Sequence, residues 1–257
     1  MLTSDPSNTA EAENISGVLD IYELNIFVPT VKGQEKIVES GTYFVDSESS
    51  SVQVVRLIND QKNVTLLYDS SLFSFEAPEF TNIYFITTEN GDFTATQEGI
   101  DDLIENPVMV NPAYSLKNPK TAPTIEFEEN FTGVLVYTFT PYMGGTSVTI
   151  NDGAAAIQII LPEGLTTGNR IIGTASPSPD SVEEDESGRN VLKWNSPIGS
   201  VSVKYYNENA PFYLLISFSA LAGAVIAVYL WYRYQTKKLH EITKLVDDET
   251  TGFRKQR

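Results

Sequence analysis

Residues 212–232 read FYLLISFSALAGAVIAVYLWY, an uncharged stretch of 21 residues near the end of a chain of 257 residues. At about 1.5 Å per residue, a helix of this length spans roughly 31 Å, which matches a hydrocarbon core of about 30 Å. Tyrosine and tryptophan residues stand near its ends, as is typical of the two membrane interfaces. The stretch therefore predicts one C-terminal transmembrane helix, with the lipid bilayer as its partner.

The charges on the two sides of this stretch differ strongly. Residues 233–257 hold 7 basic and 4 acidic side chains, a net charge of 7 − 4 = +3. The part before the stretch holds 10 basic and 30 acidic side chains, a net charge of 10 − 30 = −20. Because basic flanks stay in the cytoplasm, we expect a single-pass protein of the cell membrane. Residues 233–257 would form a basic cytoplasmic tail, and the N-terminal domain would lie outside.

The N-terminus, MLTSDPSNTAEAENISG, has neither the basic region nor the apolar run of a signal peptide. Two explanations stay open. An export signal is missing before this start, which we favour, or the transmembrane helix itself directs translocation. Residues 1–16 are rich in Ser, Thr, Asn, Ala and acidic residues, which predicts a disordered leader.

Between residues 17 and 206 the hydrophobic pattern has a period of two. Short runs rich in β-branched and aromatic residues, such as SVQVVRLI, NIYFITT, GVLVYTFT and SVSVKYY, alternate with clusters of Gly, Pro, Asn, Asp and Ser. Asn90-Gly91 and Asn151-Asp152-Gly153 are typical of tight turns between strands. About nine or more such runs predict an all-β fold, namely a β-sandwich, with an immunoglobulin-like arrangement as one form of it.

One helix is expected inside this region, at residues 97–105. Ile100, Leu103 and Ile104 share a helical face there, and Asn106-Pro107 ends the pattern.

The proline-rich stretch after this helix predicts a boundary between two β units. The first would be a β-rich outer unit at 17–115, and the second a β-sandwich outer unit at 122–206, joined by a linker at 116–121. One sandwich with a long insertion is the alternative, and the sequence leaves both open.

A resemblance to a known family begins at GVLVYTFTPYMG. It continues through IQIILPEG, RIIGTASPSP, ESGRNVLKW and SVSVKYY into the transmembrane stretch and the YRYQTKKLHE tail. Over residues 131–240 the chain resembles an uncharacterised family of archaeal membrane-anchored surface proteins. The resemblance implies an export signal, a β-rich outer domain, one C-terminal helix and a basic tail. It implies no activity.

Residue counts exclude several kinds of chemistry. The chain has no cysteine, and its one histidine, His240, falls in the tail. Serine-histidine-aspartate catalysis, cysteine nucleophiles and histidine-ligated zinc are therefore excluded from the outer region. The net charge of −17 disfavours nucleic acid as a partner, because phosphate binding needs a basic face. We expect no enzyme activity and no cofactor, with carboxylate catalysis around Glu126 and Glu128 as a remote alternative.

Three weaker patterns remain as candidate sites. A cluster of carboxylates in DSVEEDESG is a weak candidate for a hard cation such as Ca²⁺, with a solvated loop as the competing interpretation. A stripe of small residues in the transmembrane stretch favours packing against another membrane helix. Three Asn-x-Ser/Thr sequences are possible glycosylation sites. The residues are Asp180, Glu183, Glu184, Asp185 and Glu186 for the cation, Ser219, Gly223 and Ala227 for helix packing, and Asn14, Asn63 and Asn130 for glycosylation.

The tail itself has an amphipathic pattern, with Leu239, Ile242, Leu245 and Val246 on one helical face. Such a face is typical of a helix that rests on anionic lipid or docks a partner.

Taken together, these patterns predict a membrane-anchored surface protein that acts by binding or by structural support at the cell envelope. An accessory subunit of a larger membrane complex is the alternative, and an ectoenzyme is a distant third.

Overall fold

The computed structural model describes residues 23–29, 38–46, 51–66, 79–88, 93–117, 123–140, 146–151 and 153–254, with side chains up to Thr243. The chain divides into two compact units, Met1–Asn207 and Glu208–Arg257. The predicted leader, residues 1–16, lies outside the described residues, as do residues 118–121 of the predicted linker.

The described part of the chain contains fourteen strands and two helices. The strands are β1 (Ser40–Val45), β2 (Val52–Thr65), β3 (Glu79–Thr88), β4 (Pro107–Val110), β5 (Tyr114–Lys117), β6 (Thr124–Thr140), β7 (Ser147–Ile150), β8 (Ala156–Ile160), β9 (Leu165–Thr166), β10 (Ala175–Ser176), β11 (Ser181–Glu184), β12 (Asn190–Trp194), β13 (Val201–Lys204) and β14 (Tyr206–Asn207). The helices are α1 (Gln97–Glu105) and α2 (Ala210–Arg254).

Nine of these strands form one large sheet in the order β11-β12-β8-β1-β2-β6-β3-β4, with β5 added to β6. All its pairs are antiparallel except β1 with β8, which is parallel. Strands β10, β13 and β7 form a second sheet, and β14 pairs with β9. The all-β class is confirmed. The arrangement is not that of an immunoglobulin domain, which places four strands against three.

The main hydrophobic core joins the large sheet to the three-stranded sheet. Tyr43, Leu135 and Ile159 of the large sheet belong to the same buried cluster as Val148 and Val203 of the small one. Alternate residues of each strand point to this side, so the period of two in the sequence follows from the packing. The two sheets therefore form a sandwich with unequal layers.

The opposite face of the large sheet is also covered. Helix α1 buries Ile100 and Leu103 against Val134 and Val136 of β6. Because both faces of β6 are packed, residues 134–137 form a continuous apolar run, VLVY, in which every side chain is buried.

Helix α1 has the bounds that the sequence predicted, and a side-chain cap fixes where it begins. The Thr96 hydroxyl accepts a hydrogen bond from the Gly99 N–H at 3.2 Å, which caps the first turn. Two of the three predicted apolar residues are buried, whereas Ile104 is 44% exposed.

The prediction of two separate β units is wrong. Strand β6, which follows the predicted linker, hydrogen-bonds to β2, β3 and β5, which all precede it. Residues Leu116 and Lys117 of that linker belong to β5 and pair with Ile125 and Thr124. A proline-rich stretch resembles a linker in sequence, yet here it contains two edge strands, where proline is tolerated. Both halves of the outer region therefore share one sheet.

Helix α2 contains the predicted transmembrane stretch and continues into the predicted tail. Its residues Ala210–Thr243 have a mean hydropathy of 2.1 in their most apolar window, and none of that window is buried. Among the described residues this helix alone is long and apolar enough to cross a membrane. The hydroxyls of Ser217 and Ser219 donate to the carbonyls of Tyr213 and Leu215, both at 2.8 Å, so these polar groups are satisfied inside the helix.

Replacing Leu103 with alanine tests the packing of α1 on the sheet. Leu103 is fully buried, so Leu103→Ala should lower the free energy of unfolding by about 2–5 kcal/mol. The neighbouring Ile104→Ala is the matched control and should cost less than about 1 kcal/mol. Urea unfolding of the full chain in detergent, followed by Trp194 fluorescence in a Trp231→Phe background, measures both. Equal losses for the two variants would contradict this packing.

Candidate functional site

Residues 23–29, here called the strap, cross the large sheet beside α1. Leu24, Ile26 and Val28 pack against the cluster beneath α1, and Phe27 is buried. Between the strap and the sheet lies a cleft of about 330 Å³, here called the strap cleft. Its lining residues are Ile26, Phe27, Val28, Gln158, Ser181, Glu183, Lys193 and Asn195.

A polar row crosses four neighbouring strands beneath the strap. Thr42 of β1 is opposite Gln158 of β8, which is opposite Lys193 of β12, which is opposite Ser181 of β11. Residues in direct register share one face of a sheet, so these four side chains lie side by side. Thr42 and Gln158 are buried. The same sheet face is apolar where α1 covers it, around Val134 and Val136, and polar along this row.

Each polar group at the mouth of the cleft has a specific partner. The Gln158 amide donates to the Asn25 side chain of the strap at 3.3 Å. Lys193 donates to Glu183 at 2.6 Å, and this hydrogen bond lowers the pKa of the Glu183 carboxyl. The Asp180 carboxylate accepts from the backbone N–H of Asn195 at 2.7 Å. The cleft therefore presents amides, a hydroxyl and an ion pair rather than an apolar wall.

Two buried hydroxyls belong to this part of the sheet, Thr42 within the row and Ser40 beside it. Ser40 and Thr42 occupy alternate positions of β1, and their side-chain oxygens have no hydrogen-bond partner among the described residues. A buried hydroxyl without a partner costs free energy, and such groups are typically satisfied by ordered water or by a ligand. The sheet face under the strap therefore holds buried hydroxyl groups that the packing of the described residues leaves without a hydrogen bond.

Arg189 connects the strap to the turn between β11 and β12. Its guanidinium donates to Asp185 at 2.7 Å and to Glu23 of the strap at 2.9 Å, and it lies 5.9 Å from the centre of the Phe44 ring. The Asp185 carboxylate also accepts from the backbone N–H groups of Ser187 and Arg189. This network holds one end of the strap on the sheet.

The carboxyl group of Asp185 titrates below its ordinary range. Burial by itself raises its pKa, but the backbone and guanidinium hydrogen bonds from Arg189 outweigh burial and lower the pKa. Its contribution to stability is therefore complete above the unfolded pKa of about 3.9 and is lost as the pH falls through the folded pKa.

The five predicted cation ligands are not brought together. Asp180, Glu183 and Asp185 each bind a different protein group, as described above, and Glu184 and Glu186 are exposed. Among the residues that the structure describes, no group of three or more acidic or histidine side chains is placed to hold a metal ion. The acidic run is instead a strand followed by a turn.

The glycosylation candidates differ in their surroundings. Asn14 lies outside the described residues, and Asn63 is exposed on β2. The Asn130 amide donates to the Asp60 carboxylate at 2.9 Å, and the Asp60 N–H donates to the Thr132 hydroxyl at 2.9 Å. Asp60 thus contacts both the Asn130 amide and the Thr132 hydroxyl of this glycosylation sequence. Asp60 has a positive φ of 54° and lies at a bulge in β2.

The predicted packing stripe of the membrane helix lies on the surface of α2. Ser219, Gly223 and Ala227 are all exposed, and a Cβ added to Gly223 would meet open space. The hydroxyl of Ser219 is already bonded within its own helix, so the stripe offers close approach but no free hydrogen-bonding group.

The alternating glutamates of β6 occupy the surface, as their spacing predicted. Ile125 and Phe127 are buried, while Glu126 forms an ion pair with Lys117 at 3.0 Å. The carboxylate of Glu126, one of the two glutamates considered for carboxylate catalysis, is therefore engaged in an ion pair.

Sequence reasoning missed the strap cleft and the Arg189 network. The one local signal was the polar residue at the centre of two apolar strands, Gln158 in AIQII and Lys193 in NVLKW. The contact between Arg189 and Glu23 joins residues 166 positions apart, which spacing along the chain does not reveal.

Replacing Arg189 with glutamine tests the attachment of the strap. Arg189→Gln should lower the free energy of unfolding by about 1 kcal/mol at pH 7, because partly exposed ion pairs contribute about that much. The difference from wild type should begin to shrink as the pH falls through the ordinary aspartate pKa of about 3.9, where Asp185 of the unfolded chain takes up a proton, and it should shrink further as the pH falls through the lower folded pKa. Urea unfolding at pH 7 and pH 3 measures the difference in the free energy of unfolding. Amide exchange of residues 23–29 should also be faster in the variant, because Glu23 loses its contact with Arg189. A difference that is unchanged at pH 3 would contradict the role of Asp185.

Comparison with known families shows where this chain belongs. Residues 39–247 match the family of unknown function DUF5803. The match begins one residue before β1 and ends inside α2, so it includes the whole described sheet and the membrane-compatible helix. It also begins earlier than the resemblance seen at residues 131–240. No curated protein matches the chain. Since the match covers well over half of its length, the chain belongs to the DUF5803 family.

Proposed function

We propose that this protein is a single-pass surface protein of the cell membrane that acts by binding at the cell envelope. Helix α2 is the anchor, the β unit lies outside, and residues 233–257 lie in the cytoplasm. The strap cleft is the candidate binding site. The observation that carries the proposal is the exposed apolar surface of α2, which follows a folded β unit directly.

The exposed side chains of α2 support anchoring. Phe218, Leu221 and Val225 are each more than 60% exposed, and large apolar side chains surround the helix on all sides. In water such a surface is unfavourable by roughly 25 cal/mol per Å² of apolar area, so a hydrocarbon environment stabilises it. The family match across both units supports a protein in which the sheet and the anchor act together.

The orientation is supported by charge. A net charge of −20 before the membrane stretch and +3 after it favours a cytoplasmic tail. The resemblance to archaeal surface proteins agrees with this orientation. An acidic outer surface would also keep the protein soluble at high salt, where charges are screened.

Binding is favoured over catalysis by the groups in the cleft. Gln158, Ser181 and Asn195 are hydrogen-bonding groups that orient a ligand, and the Lys193–Glu183 ion pair can exchange its partner for a polar molecule. The β unit contains neither cysteine nor histidine, so cysteine nucleophiles and nucleophiles activated by histidine cannot be built there.

The alternative is an accessory subunit of a larger membrane complex. The observation that favours it is the stripe of Ser219, Gly223 and Ala227, which lies exposed on α2. Purification from gently solubilised membranes separates the two proposals, because a subunit brings a membrane partner in fixed proportion, whereas an independent surface protein does not.

Protease added to intact cells tests the orientation. With a C-terminal epitope, digestion should remove the β unit and leave a membrane fragment near the size of Glu208–Arg257, which is 257 − 208 + 1 = 50 residues. The basic flank is the physical reason, since it resists translocation. In permeabilised cells the epitope itself should be lost. Loss of the epitope from intact cells while the β unit survives would contradict the proposal.

A further inference from the structure

The strap cleft has a polar side and an apolar side. The sheet contributes the polar lining, and the strap contributes the apolar lining from Ile26, Phe27 and Val28. The polar lining residues are Gln158, Ser181, Glu183, Lys193 and Asn195. A ligand that fits both sides needs hydrogen-bonding groups on one part of its surface and an apolar patch on another.

The charges inside the strap cleft cancel. Lys193 and Glu183 are the charged members of its lining, and they form an ion pair at 2.6 Å. The Asp180 carboxylate lies beside the lining, where it accepts from the Asn195 backbone N–H at 2.7 Å and from the Asn195 amide at 3.3 Å. An anion or a cation bound here would add a charge that has no counter-charge of its own. A neutral ligand keeps the charges balanced.

The polar side chains offer donors and acceptors next to one another. An ammonium group has three N–H donors and a carboxylate has two acceptor oxygens, so one contact between Lys193 and Glu183 leaves hydrogen-bonding capacity on both. Ser181 hydrogen-bonds to the same carboxylate, and Gln158 donates to the Asn25 side chain at 3.3 Å. A hydroxyl group both donates and accepts. Two hydroxyls on neighbouring carbons therefore match this ion pair, because one donates to Glu183 while the other accepts from Lys193.

A buried hydroxyl continues the polar row behind Gln158. Thr42 is fully buried and lies in register with Gln158 on the same face of the sheet, about 4.8 Å away on the neighbouring strand. Its hydroxyl has no hydrogen-bond partner among the described residues. Ordered water or a ligand typically satisfies such a group. This hydroxyl is a second sign, independent of the ion pair, that a hydrogen-bonding molecule occupies this side of the cleft.

We propose that the strap cleft binds a neutral sugar unit through Lys193, Glu183 and Ser181. The inference rests on the proposed function, because it names the class of ligand for that binding site. A sugar ring carries hydroxyls around its rim and C–H groups on its faces, so the rim meets the polar lining and a face meets the strap. The cleft volume of about 330 Å³ is at the small end of ligand pockets, which are about 300–1,000 Å³, and suits one or two sugar rings.

A peptide is another neutral molecule with both donors and acceptors, but it fits this cleft less well. Extended peptides bind through their backbone to the open edge of a strand. The strap cleft instead presents side chains from the face of the sheet, on β8, β11 and the end of β12. Peptide binding is therefore one of the outcomes that overturn the proposal.

Saturation-transfer NMR on the full-length protein tests the ligand class, in a zwitterionic detergent that contains no sugar. The neutral probes are the methyl glycosides of glucose, mannose and galactose, together with N-acetylglucosamine. Glucuronate and glucosamine are the charged counterparts, and a blocked alanine dipeptide represents peptides. We expect at least one neutral sugar to bind with several-fold higher affinity than either charged sugar, because a charged ring unbalances the ion pair.

Two variants locate the binding. Glu183→Gln should weaken the affinity for that sugar about tenfold and Ser181→Ala about fivefold, since hydrogen bonds to charged groups contribute more than neutral ones. Glu184→Gln is the matched control, because Glu184 is the next residue of β11, is exposed and points to the other face of the sheet. It should leave the affinity unchanged. Urea unfolding followed by Trp194 fluorescence verifies that each variant is folded.

A linear trisaccharide of the same sugar distinguishes two sources of the ligand. Saturation of its terminal ring identifies the end of an envelope glycan, whereas failure of the trisaccharide to bind identifies a free sugar. Both results agree with the proposal.

Other outcomes overturn it. Saturation of none of the neutral sugars, or tighter binding of a charged sugar or of the dipeptide, would contradict the ligand class. Sugar binding that is unchanged in both Glu183→Gln and Ser181→Ala would contradict the strap cleft as its site. The protease experiment on intact cells is independent of all these results, so failure of the ligand class and failure of the surface-protein proposal are told apart.

Discussion

Strand β6 is the element on which the rest of the β unit depends. Its 17 residues hydrogen-bond to β2 along one edge and to β3 and β5 along the other. Without it the large sheet would separate into a β11-β12-β8-β1-β2 part and a β3-β4 part. Its centre, residues 134–137, is buried on both faces of the sheet. Leu135 and Tyr137 belong to the hydrophobic cluster between the two sheets, and Val134 and Val136 belong to the cluster under α1.

The position of the candidate binding site follows from this arrangement. Helix α1 covers the half of the sheet around β6, where the residues are apolar, so that half is closed. The strands farther from β6 carry the polar row of Thr42, Gln158 and Lys193, and the strap is the part of the described chain that covers them. The strap is held there both by its apolar residues, Leu24, Ile26 and Val28, and by the polar contacts of Glu23 with Arg189 and of Asn25 with Gln158.

Much of this structure could be predicted from local patterns. The period of two indicated the strands, Asn106-Pro107 marked the end of α1, and the uncharged stretch marked the long apolar helix α2. The strand order could not be predicted, because pairing such as that of β1 with β8 is set by contacts between distant residues. The partner of Glu183 could not be predicted for the same reason, since it depends on the register of β11 against β12.

Strands from both sides of the proline-rich stretch form one cooperative sheet built on β6. Native-state amide exchange of the full chain in detergent, at increasing sub-denaturing urea, tests it most directly. We expect the amides of residues 134–137 to exchange slowest, and those of β2, β3, β8 and β12 to converge on one common opening free energy. Two separate free energies, one for β8 and β12 and another for β2 and β3, would contradict the claim.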